Sequence, residues 1–230
     1  MRCRIIRSNR KSLCLQITRE GEVLVRAPRN CSERYIREFV DSKKDWIREH
    51  LETTAERTAA RDAFRLTEGQ TLTLCGEPFT VHIAPGIRAT LLRSKGQLIL
   101  SSGDMEEQRD AIIWIAKAHC RPILEARLRY WAEKLGVTCR QLRLNTARTR
   151  WGSCSAQGVI NLSAFLLFAP MEAIDYVLIH ELCHRVHFDH SPEFWAMVAR
   201  ACPGYQTQKQ VLRQYQTEPF LLSLAETEES

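Results

Sequence analysis

His180-Glu181-Leu182-Cys183-His184 sets two imidazoles four residues apart with a carboxylate beside the first. On a helix, positions i and i+4 share one face, one turn apart. Two imidazoles placed that way can grip one metal ion, and the glutamate can then reach a water on that metal. Four of the seven histidines fall between His180 and His190. The chemistry implied is hydrolysis assisted by zinc, with Glu181 as the base.

Catalytic zinc takes three protein ligands and keeps one position open. Beyond His180 and His184, the nearby candidates are His187, Asp189, His190 and Glu193. His187 shares the helical face, but seven residues of helix rise about 10 Å, too far for both ends to meet one ion. His187 therefore reads as a surface residue or one that supports a ligand. His190 is favoured: the chain can turn at Phe188-Asp189 and bring its ring back over the metal. Ser191-Pro192-Glu193 then supplies the N-cap, the first position and a first-turn acid of a new helix. Glu193 stays as the alternative ligand.

The motif needs a helix, and its surroundings predict one. Met171 to Phe188 holds no Gly or Pro, follows Pro170, and repeats Ile174, Val177, Leu178 and Leu182 at helical spacing. Ahead of it, Met105 to Leu135 reads as a long amphipathic helix ending near Gly136, with Pro122 expected to bend or split it. Gln141–Leu144, Thr149–Cys154 and Val159–Leu162 read as strands, the last two joined at Gln157-Gly158. A sheet edge beside a metal cleft can take an extended peptide as an extra strand.

The first hundred residues read as a β-rich layer with one helix. Met1–Arg7, Ser12–Thr18 and Val23–Ala27 form one set of short strands; Thr71–Leu74, Phe79–Ile83, Thr90–Leu92 and Gln97–Leu100 form another. Between them, a helix capped by Ser32 should reach about Glu52, with 53–62 as a frayed extension or linker. The expected division is 1–104 for this accessory layer, 105–217 for the hydrolase domain and 218–230 for an acidic tail.

Composition narrows the rest. A 44% hydrophobic share suits a globular core, and no stretch is apolar enough to span a membrane. Nine scattered cysteines without a Cys-x-x-Cys pair, and a start lacking a signal-peptide core, point to a reduced cytoplasmic protein. Net charge is +6, with fourteen Lys/Arg against nine Asp/Glu in residues 1–60 and four arginines between Gly136 and Arg150. Such patches allow weak nucleic-acid contact, but a solubilising surface explains them as well.

Several ordered motifs together carry a resemblance. Arg148-Thr-Arg-Trp-Gly-Ser-Cys154, Gly158-Val-Ile-Asn-Leu162, the His180–His184 motif, Asp189-His-Ser-Pro-Glu-Phe-Trp195 and Cys202-Pro-Gly-Tyr205 resemble the YgjP-like metallopeptidases, zincins related to the SprT-like and WLM proteases. The similarity runs from about Gln108 to Tyr215 and weakens toward the N-terminus. It implies an α+β, zincin-like catalytic domain, with the active-site helix beside a small β-sheet. It also implies zinc on His180, His184 and His190, Glu181 as the catalytic carboxylate, and a peptide or protein substrate. Metzincins share the six-residue step from His184 to His190, but their intervening glycine is absent from Arg185 to Asp189.

Two other functions stay in view. The resemblance also allows a nucleoside triphosphate pyrophosphatase acting on UTP, with Arg143, Arg148 and Arg150 on the phosphates. Against it, the chain has no phosphate-binding glycine loop. A zinc-stabilised adaptor without activity is the remaining reading. For substrate contact the candidates are Arg148, Arg150 and Trp151; for the oxyanion, Arg148, Arg150, His187 and Tyr205.

Overall fold

A computed structural model describes residues 3–18, 21–86, 88–215 and 220–221. Met1, Arg2 and nearly all of the acidic tail expected from 218 lie outside these residues. The chain divides into two compact units, Met1–Phe64 and Arg65–Ser230.

The first unit is a three-stranded sheet with two helices. Strands β1 (Arg4–Ser8), β2 (Cys14–Ile17) and β3 (Val23–Pro28) lie in the order β1-β3-β2. Alternate β3 residues Val23, Val25 and Ala27 meet Ile36, Val40 and Ile47, so a period of two packs on a helical period. Helix α1 (Glu33–Asp41) starts where the Ser32 hydroxyl accepts from the Tyr35 N–H at 3.2 Å. The single helix expected here breaks at Ser42-Lys43, where the Ser42 hydroxyl donates to the Phe39 carbonyl at 2.7 Å. Helix α2 (Lys44–Ala63) then absorbs residues 53–62, so they extend the helix rather than link domains.

The second unit opens with β4 (Thr71–Leu74), β5 (Glu77–Ala84), β6 (Thr90–Leu92) and β7 (Gln97–Ser101), ordered β4-β5-β7-β6. These strands belong with the catalytic half of the chain, against helix α3 (Met105–Leu135). Asp104 caps α3 by accepting from the N–H groups of Glu106 and Glu107, and Gly136 ends it at φ +66°, a conformation open to glycine without penalty. Pro122 does not split α3. Ile112, Ala116, Cys120, Leu124, Leu128 and Ala132 are all buried at every fourth position, and that continuous stripe holds the helix together across the proline.

The remaining elements build the site. Strands β8 (Gln141–Asn145), β9 (Gly152–Cys154) and β10 (Val159–Ser163) form a sheet ordered β8-β10-β9, so β9 is an edge. A wholly buried 3-10 helix, Ala164–Phe168, leads into α4 (Met171–Cys183), followed by α5 (Pro192–Ala201) and α6 (Tyr205–Tyr215). The result is the expected α+β layout with the central helix beside a small sheet. No helix among the described residues is long and apolar enough to cross a membrane.

Arg127 of α3 pairs through Nε and a terminal guanidine nitrogen with both carboxylate oxygens of Asp175 on α4. Asp175 is buried, whereas Arg127 keeps 37% of its side chain exposed, which screens the pair in part. Removing Arg127 leaves a buried carboxylate unpaired. Arg127→Ala should cost about 1–3 kcal/mol and lower Tm by roughly 3–10 °C. Thermal unfolding by circular dichroism reads this, and an unshifted midpoint would mean that the pair does not hold α4.

Candidate metal and catalytic site

Helix α4 is buried along almost its whole length, including Ile174, Val177, Leu178, Ile179, Glu181 and Leu182. Its first two residues, Met171 and Glu172, and His180 near its C-terminal end are the positions that are not buried. The helix stops at Cys183, earlier than the periodic run suggested, and His184 is its C-cap at φ −66°, ψ −6°. That residue keeps right-handed backbone, so its side chain still follows His180 by one turn.

The ensuing loop closes on itself. His184 Nδ1 lies 3.0 Å from the His187 carbonyl oxygen. Donating its proton there leaves Nε2 of His184 with a free lone pair, the form a metal ligand needs. His187 thus supports a neighbouring imidazole through its backbone. Asp189 accepts from the Ser191 N–H at 3.3 Å, and the Ser191 hydroxyl caps α5 by accepting from the Phe194 N–H. This turn sends His190 back over α4.

Nitrogens of His180, His184 and His190 all lie within 4.8 Å of one another. His190 Nε2 is 3.2 Å from His180 Nε2. Two nitrogens held about 2.0–2.1 Å from one tetrahedral ion sit about 3.3–3.4 Å apart, so the donor set fits zinc. Burial drives the His180 pKa down to about 3, helped by the charges of His184, His190 and Lys209, which favours the neutral, metal-binding ring. Glu193 is exposed and, among the described residues, is not part of the cluster.

Phe194 is the residue that the motif did not reveal. Its fully buried ring lies 4.9, 4.6 and 4.9 Å from the rings of His180, His184 and His190. It forms an apolar floor that limits how far each imidazole can tilt. The signal for it was the apolar Phe194/Val198 pair, four apart in a helix that Ser191 caps; both are buried. Trp195 stacks on His190 at 5.7 Å and Tyr205 stacks on Trp195 at 5.4 Å, extending the wall onto α6.

Glu181 lies on the other side, against the sheet. A Cβ at Gly152 would come 2.7 Å from Glu181 Oε1 and 2.8 Å from its Cγ. Only a residue without a side chain lets this carboxylate lie on β9. Burial raises the Glu181 pKa to about 7, opposed by the positive charge of Arg150. Arg150 therefore faces the site electrostatically. Arg148 is half-buried, and Trp151 holds the end of β9 to β10 by accepting from the Ser163 N–H at 2.8 Å.

That last bond sets the ladder's phase. In an antiparallel pair, hydrogen-bonded and non-bonded residue pairs alternate. Ser163–Trp151 is bonded, so Asn161–Ser153 is too, and the N–H and C=O of Gly152 and Cys154 turn toward the unpaired edge. Arg185 pins this hairpin to α4, donating to the carbonyls of Thr138 at 3.1 Å and Ala156 at 2.9 Å.

The family model described as YgjP-like, metallopeptidase domain, matches residues 11–215. The chain belongs to the YgjP-like metallopeptidase family. Membership implies a divalent metal and a peptide or protein substrate. No curated protein matches the chain. Among solved structures, it is similar to the metallopeptidase zymogen of Pyrococcus abyssi abylysin, at 28% identity over 39% of this chain and 89% of that one, with a TM-score of 0.35.

The Gly152 contact yields a two-background test. Gly152→Ala should destabilise the protein by about 1–3 kcal/mol through overpacking. In a Glu181→Ala background most of that cost should vanish, because the atoms it strikes are gone. Four melting curves measure the coupling; an equal cost in both backgrounds would show that Glu181 does not rest on Gly152.

Proposed function

We propose that this YgjP-like protein is a zinc-dependent metallopeptidase, with His180, His184 and His190 as ligands and Glu181 as the general base. The observation that carries the reading is the convergence of three imidazole nitrogens within 4.8 Å beside a buried glutamate. Zinc bound there would polarise the scissile carbonyl and make a nearby water more acidic.

The chain's own groups supply the rest. Glu181 takes a proton from the attacking water as its oxygen bonds to the carbonyl carbon. The same carboxyl then gives that proton to the amide nitrogen as the C–N bond breaks. The free edge of β9 holds the substrate backbone, with Gly152 and Cys154 as its hydrogen-bonding positions. Arg150 and Trp151, at the entrance to that strand, contact the peptide beside the scissile bond, and Arg148 belongs to the same lip.

Glu181→Gln should fold, keep its zinc and lose peptide hydrolysis by at least about 10²-fold. Full activity in that variant would remove Glu181 as the base; loss of zinc would make it structural.

His190→Ala should lower zinc occupancy well below one per chain, while His187→Ala should leave it in place, because His187 contributes a carbonyl. Metal analysis after dialysis separates the two. Stripping the metal with a chelator should abolish hydrolysis, and zinc should restore it. An assay with UTP runs beside the peptides: UMP and pyrophosphate without any peptide cleavage would replace this reading with the nucleotide one.

A further inference from the structure

Helix α6 brings a positive charge to the wall of the site. Tyr205 and Lys209 lie one turn apart on this helix, which packs on α4. The Lys209 ammonium lies 5.2 Å from the centre of the Trp195 ring. Trp195 in turn lies 5.7 Å from both His180 and His190, ring centre to ring centre. Lys209 is half-buried and makes no ion pair among the described residues.

Such a lysine opposes what its neighbours do. Three neutral imidazoles gather to hold a cation, and a fixed ammonium near them weakens that hold. An exposed lysine could swing away, but this one is held over an indole face, where the ring's quadrupole attracts it. The conflict disappears when an anion sits between the two positive centres. Tyr205 adds a hydroxyl to the same wall. Its oxygen accepts from Gln206 Nε2 at 2.7 Å, so its own proton remains to be donated.

We propose that Lys209, with Trp195 and Tyr205, forms a subsite for a carboxylate of the peptide next to the scissile bond, which makes Lys209 a specificity-determining residue. An ammonium and a phenol hydroxyl both donate charge-assisted hydrogen bonds to carboxylate oxygens. The carboxylate is an acidic side chain or the free C-terminus of a short peptide; the chemistry is the same. The inference rests on the peptidase reading and adds to it which peptides are taken.

The test uses zinc-loaded full-length protein and matched peptides. Each pair differs only by Glu or Gln beside the scissile bond, and each is made with a free and an amidated C-terminus. The wild-type protein should cleave carboxylate-bearing members with a KM about tenfold lower and kcat little changed. Lys209→Met should erase the difference and Lys209→Arg should retain it. A preference that follows the side chain, or one that follows the terminus, identifies the carboxylate. Zinc affinity, read by competition with a chromophoric chelator, should tighten about threefold in Lys209→Met as the opposing charge is removed.

Peptides cleaved without preference, or a preference that survives Lys209→Met, would overturn the subsite and leave the peptidase reading standing. Unchanged zinc affinity would remove its electrostatic premise. Cleavage of no peptide at all would overturn both.

Discussion

The burial of α4 decides where chemistry can occur. A helix packed against α3, β9, α5 and α6 has no freedom to rotate, so its open end presents a fixed set of side chains. His180 and Glu181 are successive residues and point about 100° apart. One of them therefore faces α5 and the other faces the sheet. Those two directions create the division of labour: a nitrogen cluster on one wall and a carboxylate on the other.

Each wall is then completed by a part of the chain that cannot move much. On the α5 side, Phe194 backs all three imidazoles, and the Asp189–Ser191 turn brings His190 to them. On the sheet side, Gly152 leaves room for Glu181, while Arg185 ties the hairpin to the end of α4. Arg185 follows His184 directly in the chain, so the hairpin turn and the histidine cluster are tied through adjacent residues. A metal ligand set placed within a few tenths of an ångström needs this kind of support, because a loosely held imidazole loses affinity in ordering itself.

Electrostatics divide the cleft in the same way. Burial keeps His180 neutral and holds a proton more tightly on Glu181 than in water. Arg150 on one lip and Lys209 on the other bring positive charge to both sides of the cluster. Positive charge beside the nitrogen cluster gives a field that favours ligands carrying negative charge.

Much of this was readable from residue order alone. The i, i+4 histidines, the adjacent glutamate, the Ser-Pro start of α5 and the length of α3 follow from local rules of helix spacing and capping, which need no distant partner. Setting His187 aside on helical rise assumed a helix running through it; α4 ends at Cys183, and His187 instead meets His184 through its backbone carbonyl. Tertiary packing decided the rest. Helix α4 ended at Cys183, and the His184 ring bonds the His187 carbonyl in the loop that follows, a contact that apolar periodicity cannot report. Pro122 stayed inside α3 because a buried stripe outweighed a local break, and the first-unit helix broke at Ser42-Lys43 without a glycine or proline to announce it. Gly152 under Glu181, Phe194 behind the imidazoles and Lys209 over Trp195 join residues from separate elements. Spacing along a chain carries information about one helix or one strand; which elements face each other is settled only when the whole unit buries its core.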